Sequence, residues 1–237
     1  MIDDDDLLTP VLGRREILRN LGALGLLAGL ARFPRSLAAL GAGAEPDLAD
    51  LVDASGMQGM CLLTPSAIVG PYYLPLDLVR QDITEGQVGL PTRFLISVVR
   101  ASDCTPIEGA AVDVWHTNAP GAYSGFASQG TSGLTWLRGI QFTDANGLAV
   151  FDTIYPGWYP GRTTHVHVKV RPTAQTELTT QTYFEQPINR RVNAWGVYAP
   201  HGQNPTTNAN DGFFLPQTVM SLVGTSPMQF ALTIGVA

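Results

Sequence analysis

The sequence predicts an all-β domain, an antiparallel β-sandwich whose long loops carry the functional residues. Past residue 90 the chain runs as short segments in which apolar and polar side chains alternate, the pattern of strands with one face in a core. The 25 glycines and 17 prolines are what many short strands joined by tight turns require. No long helical pattern appears beyond the N-terminal stretch.

Phe94 to Arg100 (FLISVVR) and Ala111 to His116 (AVDVWH) are rich in β-branched residues and read as strands joined across Cys104–Gly109. Gln141 to Thr143 and Leu148 to Ile154 flank Asp144-Ala145-Asn146-Gly147, the pattern of a hairpin. Thr164 to Val170 (THVHVKV) is a further strand, and Gln229 to Val236 (QFALTIGV) the last. Between them, His201 to Gly212 (HGQNPTTNANDG) reads as an exposed polar connection.

At 237 residues, 45% apolar and 14% charged, the composition is globular. The formal net charge is −6 and Lys169 is the only lysine, so there is no basic stripe for a nucleic-acid backbone and no nucleic-acid partner is expected. Residues 1–44 read as an export signal, leaving 45–237 as the mature domain. Gly13-Arg14-Arg15-Glu16-Ile17-Leu18 has the twin-arginine pattern, Leu21 to Ala31 is uncharged and apolar, and small residues lead to Ala44. That apolar run is far short of the ~20 residues a transmembrane helix needs. A periplasmic or extracellular protein with no stable membrane span is the expectation. Cys61 and Cys104 permit one disulfide or two separate buried thiols, and neither belongs to a C-x-x-C pair.

On a strand, His165, His167 and Lys169 share one face and Val166, Val168 and Val170 the other. The valines suit a core, and two adjacent imidazoles can chelate one metal ion; the segment alone equally fits a half-exposed strand with a polar face. Before it, Ile154 to Arg162 (IYPGWYPGR) is a turn-rich loop that brings tyrosines and an arginine beside the histidines. Val114 to Ser124 (VWHTNAPGAYS) leaves a strand for a second such loop, and loops on a rigid scaffold commonly carry ligands. Phenolate oxygen is a hard donor that suits ferric iron, while imidazole accepts several transition metals. Of the remaining candidates, His116 reads as a buried, hydrogen-bonded side chain and His201 as a solvated one. Tyr72 and Tyr73 read as packing a turn or lining a pocket, and Trp158 as either cavity wall or core.

Taken together these segments resemble the intradiol ring-cleavage dioxygenases. The resemblance runs from about Leu63 to about Asp211 and is carried by Gly70-Pro71-Tyr72-Tyr73, DVWHTNAPGAYS at 113–124 and QFTDANG at 141–147. It continues through PGWYPGRTTHVH at 156–167 and LTTQTYF at 178–184. It implies iron(III) held by Tyr123, Tyr159, His165 and His167, with Tyr159 the phenolate that substrate displaces. Arg162 corresponds to the arginine that stabilises charge on the ring, and Gln181 to an active-site glutamine. The implied reaction opens a catechol-type aromatic diol with dioxygen to a cis,cis-muconate-type diacid. A non-catalytic binding or structural module derived from the same family is the alternative, and a homo-oligomer is left open. This chain has Val69 where the family commonly has an acidic residue, and R-T-T-H-V-H where many members read R-P-A-H-I-H.

Overall fold

Strands form where the sequence alternates. In order they are β1 (Pro91–Arg100), β2 (Ala111–Trp115), β3 (Arg138–Phe142), β4 (Leu148–Ile154), β5 (His165–Arg171), β6 (Leu178–Tyr183), β7 (Ser221–Thr225) and β8 (Met228–Val236). An eight-residue helix, α1 (Gln186–Asn193), follows β6 and opens with Pro187 in its first turn, where its missing N–H costs nothing. This computed structural model describes residues 61–237. The expected export signal at 1–44 and the expected domain start at 45 lie outside the described residues.

The strands form two sheets, ordered β4-β1-β8-β7 and β3-β2-β5-β6. All pairings between named strands are antiparallel except β1 with β8, which run parallel from Thr92 opposite Met228 to Arg100 opposite Val236. The expected antiparallel architecture is therefore corrected to two antiparallel-rich sheets, one of them mixed. The physical reason is separation: β1 and β8 lie far apart in the chain, so no short turn dictates their relative direction.

A second correction concerns Asp144–Gly147. The turn forms, with Asp144 Oδ1 accepting the N–H groups of Asn146 and Leu148. Yet β3 pairs with β2 and β4 with β1, so the turn passes the chain between sheets and closes no hairpin. Neighbouring backbone bonds account for this. Thr143 N–H donates to Ala110 O at 3.0 Å, while Gly147 O accepts from Val98 N–H at 2.8 Å.

Phe94, Ile96 and Val98 of β1, with Phe151 of β4 and Phe230 of β8, join one buried cluster with Val112 and Val114 of β2 and Val166, Val168 and Val170 of β5. Each such side chain contributes roughly 1.5–3 kcal/mol by leaving water. The valine face of β5 thus fills the core as its alternation suggests. Its opposite face is buried as well: His165 is 3% exposed and His167 2%. The cover includes residues 61–90, an irregular segment tied to the sheets by Thr64 N–H to Gly235 O, Arg80 N–H to Ile140 O and Ile83 N–H to Asp152 O. A disulfide between Cys61 and Cys104, Cα atoms 5.3 Å apart, fastens the start of that segment to the β1–β2 connection.

Candidate active site

Directly opposed residues in a sheet share a face, and the register of the second sheet therefore draws one row across all four strands. Arg138 of β3 faces Trp115 of β2, Trp115 faces His167 of β5, and His167 faces Gln181 of β6. His165 faces Tyr183 one step along. The row lies on the side of the sheet away from the core.

Two loops bring tyrosines to this row. Tyr123 follows β2 and Tyr159 precedes β5, and their loops cross backbone to backbone. Gly157 N–H donates to Asn118 O at 3.1 Å, and Thr117 Oγ1 donates to Gly157 O at 2.7 Å. At the crossing Gly121 has φ +88°, and a Cβ there would overlap the Trp158 carbonyl. Only glycine permits both the conformation and the approach.

The four side chains converge. The ring centroids of His165 and His167 are 5.0 Å apart, Tyr159 and His165 5.5 Å, Tyr123 and Tyr159 5.9 Å, and Tyr123 and His167 6.2 Å. His165 Nδ1 lies 2.7 Å from Thr163 O. That bond places its proton on Nδ1 and leaves the Nε2 lone pair directed at Tyr159 Oη, 3.4 Å away. Burial pulls the His165 pKa down to about 4, so the ring is neutral, the form that donates to a metal. His167 is also held neutral, first by burial and then by repulsion from His165. Its ring stacks on Trp115 at 4.9 Å and 9°, and Gly70 packs so closely that a Cβ would sit 3.3 Å from His167 Cε1. Burial raises the Tyr123 phenol well above its ordinary pKa, and raises Tyr159, where Arg162 opposes the rise.

Tyr123 Oη and His167 Nδ1 are buried polar atoms with no hydrogen-bond partner, which costs about 1–3 kcal/mol each if nothing satisfies them. No group of three or more His, Cys, Asp or Glu side chains converges among the described residues, so a metal here would draw on phenol oxygens. The donor set is two phenols and two neutral imidazoles, with an orphaned oxygen among them. It fits a hard trivalent cation, whose charge would reverse the burial penalty on both phenolates.

Arg162 and Gln181 sit beside this cluster and are coupled to each other. Arg162 Nη2 donates to Gln181 Oε1, and Gln181 Nε2 donates to Ile68 O at 3.0 Å. Arg162 Nε pairs with Asp211 Oδ2 at 3.0 Å, the arginine side chain 11% and the aspartate 0% exposed. Asp211 Oδ2 also accepts Thr163 N–H at 2.8 Å, and Oδ1 accepts Phe213 N–H at 2.8 Å. The 201–212 segment is largely exposed as expected, with Asp211 alone buried, and it also straps the loop before His165. Asn204 Nδ2 donates to Arg162 O, and Thr163 Oγ1 to Asn208 Oδ1.

Three residues of the site were missed by sequence reasoning or given other roles. Arg138 is buried and cationic; its Nη1 donates to Tyr72 O, Nε to Ser124 Oγ and Nη2 to Ser124 O. It joins the Gly-Pro-Tyr-Tyr segment to the Tyr123 loop, and burial draws its pKa down to about 10. Asp211, described above, carried no signal beyond membership of a polar loop. Tyr72 packs more than a turn, stacking flat on Tyr123 at 4.5 Å and meeting Tyr159 edge-on at 6.1 Å. His116 is buried as expected, bonded to Thr117 O at 2.8 Å and Thr153 Oγ1 at 2.7 Å. His201 is exposed as expected, and it also packs on Trp158 at 4.0 Å with Nε2 3.0 Å from the Trp158 carbonyl.

The comparisons with known proteins bear on the same residues. A family model described as "Dioxygenase" matches residues 68–189, just over half of the chain. A chlorocatechol 1,2-dioxygenase from a Pseudomonas species is 35% identical over 140 residues, covering 50% of this chain and 55% of that protein. Catechol 1,2-dioxygenase 1 from Acinetobacter lwoffii is 29% identical over 176 residues, 63% of this chain and 56% of the relative. The chain therefore spans about half the length of the curated relatives it matches. An intradiol ring-cleavage dioxygenase from Tetranychus urticae superposes with a TM-score of 0.70 at 27% identity, covering 74% of this chain and 94% of that one. The family match runs through both tyrosine loops and the histidine strand, and on it the chain belongs to the intradiol ring-cleavage dioxygenase family.

Proposed function

We propose that this protein is a non-haem iron(III) dioxygenase that opens a catechol-type aromatic diol between its hydroxyl-bearing carbons, adding both atoms of dioxygen to give a cis,cis-muconate-type diacid. The observation that carries this reading is the convergence of Tyr123, Tyr159, His165 and His167, with the buried Tyr123 oxygen lacking a partner in good hydrogen-bond geometry. These four residues would hold the metal. Iron(III), when bound, supplies a Lewis acid and redox centre at which the diol becomes reactive toward dioxygen. The two stacked sheets read as the β-sandwich of the family, a scaffold rigid enough to hold such a centre.

The remaining steps fall to the chain's own side chains. Tyr159 is the less buried phenol; as a phenolate when the metal is bound, its oxygen would accept one of the two protons the diol must lose, and the other would pass to solvent. Tyr123 is fully enclosed and stays in place. Arg162, permanently cationic, stabilises the negative charge that deprotonation leaves on the diol oxygens and ring. Gln181 holds the Arg162 guanidinium through Oε1. Tyr72, stacked on Tyr123, walls the site and excludes water. Ring opening adds dioxygen without an external reductant, since the diol supplies the electrons. Incubation of the iron-loaded protein with catechol under 18O2 should give a diacid carrying both labelled atoms; oxygen uptake with no ring-opened product, or incorporation of a single label, would refute the reaction.

We also read residues 1–44 as a twin-arginine signal, which would place the mature protein outside the cytoplasm. The Cys61–Cys104 disulfide supports this, because such bonds persist mainly in oxidising compartments. Replacing Arg14 and Arg15 together by lysine should retain the protein in the cytoplasmic fraction; unchanged export would remove the assignment.

A further inference from the structure

We propose that Arg138 is a positioning residue for Tyr123: its buried guanidinium fixes the direction of that phenol ring and supplies the counter-charge of the phenolate when metal is bound. This rests on the ferric reading above and adds to it a group outside the four donors.

Arg138 opens β3 and is 3% exposed. A guanidinium taken out of water at this depth is costly unless an anion receives it. Among the described residues no carboxylate forms an ion pair with it. Asp113, whose charge it feels, is engaged elsewhere, accepting from Tyr73 at 3.0 Å and facing Arg171 at 3.9 Å. The acceptors Arg138 does have are neutral: Tyr72 O at 2.8 Å, Ser124 Oγ at 2.8 Å and Ser124 O at 2.9 Å. The backbone is strained directly before it, with the buried Leu137 at φ +58°, a region that residues with side chains rarely enter. A buried cation held by neutral groups alone points to an anion that forms when the site fills. The Tyr123 ring, whose centroid lies 6.0 Å from the guanidinium carbon, is the group placed to become it.

All three acceptors flank Tyr123. Ser124 is the next residue in the chain, and its Oγ is tied in turn to Trp136 O at 2.7 Å. Tyr72 stacks on the Tyr123 ring at 4.5 Å and 16°. One guanidinium therefore grips the backbone beyond Tyr123 and the residue that covers its ring face, and the planar fork is what reaches both. Trp115 stands between Arg138 and His167 in the row across the sheet. The charge thus acts on the Tyr123 side of the donor set and not evenly on all four donors. A cation placed there stabilises the electrons of a phenolate, which raises the energy needed to move one of them to the metal.

The test loads iron(III) into the full chain and into its Arg138→Met and Arg138→Lys variants, and reads iron affinity by chelator competition and the phenolate-to-iron absorption band. Arg138→Met should weaken iron binding by about tenfold or more, the usual effect of losing a group that orients a ligand, and should move the band to longer wavelength. Arg138→Lys returns the charge without the fork, so the band should move back toward the wild-type position while iron binding stays weakened by about tenfold. The urea midpoint of each metal-free protein is measured alongside. An arginine that only braces the fold would lower that midpoint and leave the band of bound iron where it is, and that result overturns the proposal. Iron affinity of Arg138→Met within about twofold of wild type overturns it as well. If Arg138→Met does not fold, Arg138→Lys decides: binding weakened by about tenfold supports the proposal, and wild-type affinity overturns it. A wild type that takes up no iron would overturn the ferric reading together with this one, whereas a coloured wild type with unaltered variants removes only the role of Arg138.

Discussion

Tyr123 and Tyr159 are chemically alike and differently held. Tyr123 is 1% exposed, its oxygen without a partner in good hydrogen-bond geometry and beside only the Tyr159 hydroxyl, while Tyr159 makes a long 3.4 Å approach to His165. Tyr123→Phe should therefore leave the metal-free protein as stable or up to about 1–3 kcal/mol more stable, since it removes an unsatisfied buried hydroxyl. The same variant should lose iron on dialysis; a large drop in metal-free melting temperature would contradict this reading of the orphaned oxygen. Asp211 is the opposite case. Removing it leaves Arg162 unpaired in a nearly closed site, and Asp211→Ala should cost about 3–5 kcal/mol in urea unfolding. A loss under about 1 kcal/mol would mean that the pair is only a surface contact. At this scale the histidines were legible because alternation on one strand is local. Arg138 and Asp211 were not, because their partners lie 66 residues away at Tyr72 and 49 residues away at Arg162.

Elements were legible where their pattern was local and misread where pairing was not. β5 showed its valine face in the sequence, and β1, β2, β4 and β8 appeared within a few residues of their observed bounds. Asp144–Gly147 has the residues of a hairpin turn, but turn chemistry says nothing about which strands receive the two ends. β6 and β7 were not recognised as strands; β7 is short, with Gly224 at an irregularity in its pairing. The 61–90 segment covers the histidine face with few ladder bonds of its own, so its anchorage matters. Cys61 and Cys104 close a loop of 43 residues, which should stabilise the fold by about 4 kcal/mol. Reduction, or the Cys61→Ser/Cys104→Ser pair, should lower stability by that order. An unchanged denaturant midpoint would show that the cover is held by its other contacts.

For the whole molecule, two buried groups three residues apart, Asp113 in β2 and His116 just past its end, should shape stability against pH in opposite senses. Burial raises the Asp113 pKa to about 6, with Tyr73, Arg171, Lys169 and Arg138 opposing the rise. The folded state then binds the extra proton between about pH 4 and 6, and Asp113 costs stability as pH rises through that window. Burial lowers the His116 pKa to about 4, so the unfolded state binds the extra proton and stability is lost as pH falls from about 6.5 to 4. The two trends offset each other in the wild type. Asp113→Asn should be more stable than wild type near pH 8 by up to about 2–3 kcal/mol, an advantage that shrinks to nothing near pH 4. Parallel pH profiles for the two proteins would contradict the assignment. The composition marked a strand-rich globular chain, while the mixed sheet and the buried outer face came from long-range pairing that no short segment encodes.

The central claim, a ferric centre held by Tyr123, Tyr159, His165 and His167, is tested most directly by the visible absorption spectrum of the iron-loaded protein. It should show a phenolate-to-iron charge-transfer band that shifts when a catechol is added and changes in the Tyr159→Phe variant; a colourless protein that binds no iron after expression with ample iron would contradict it.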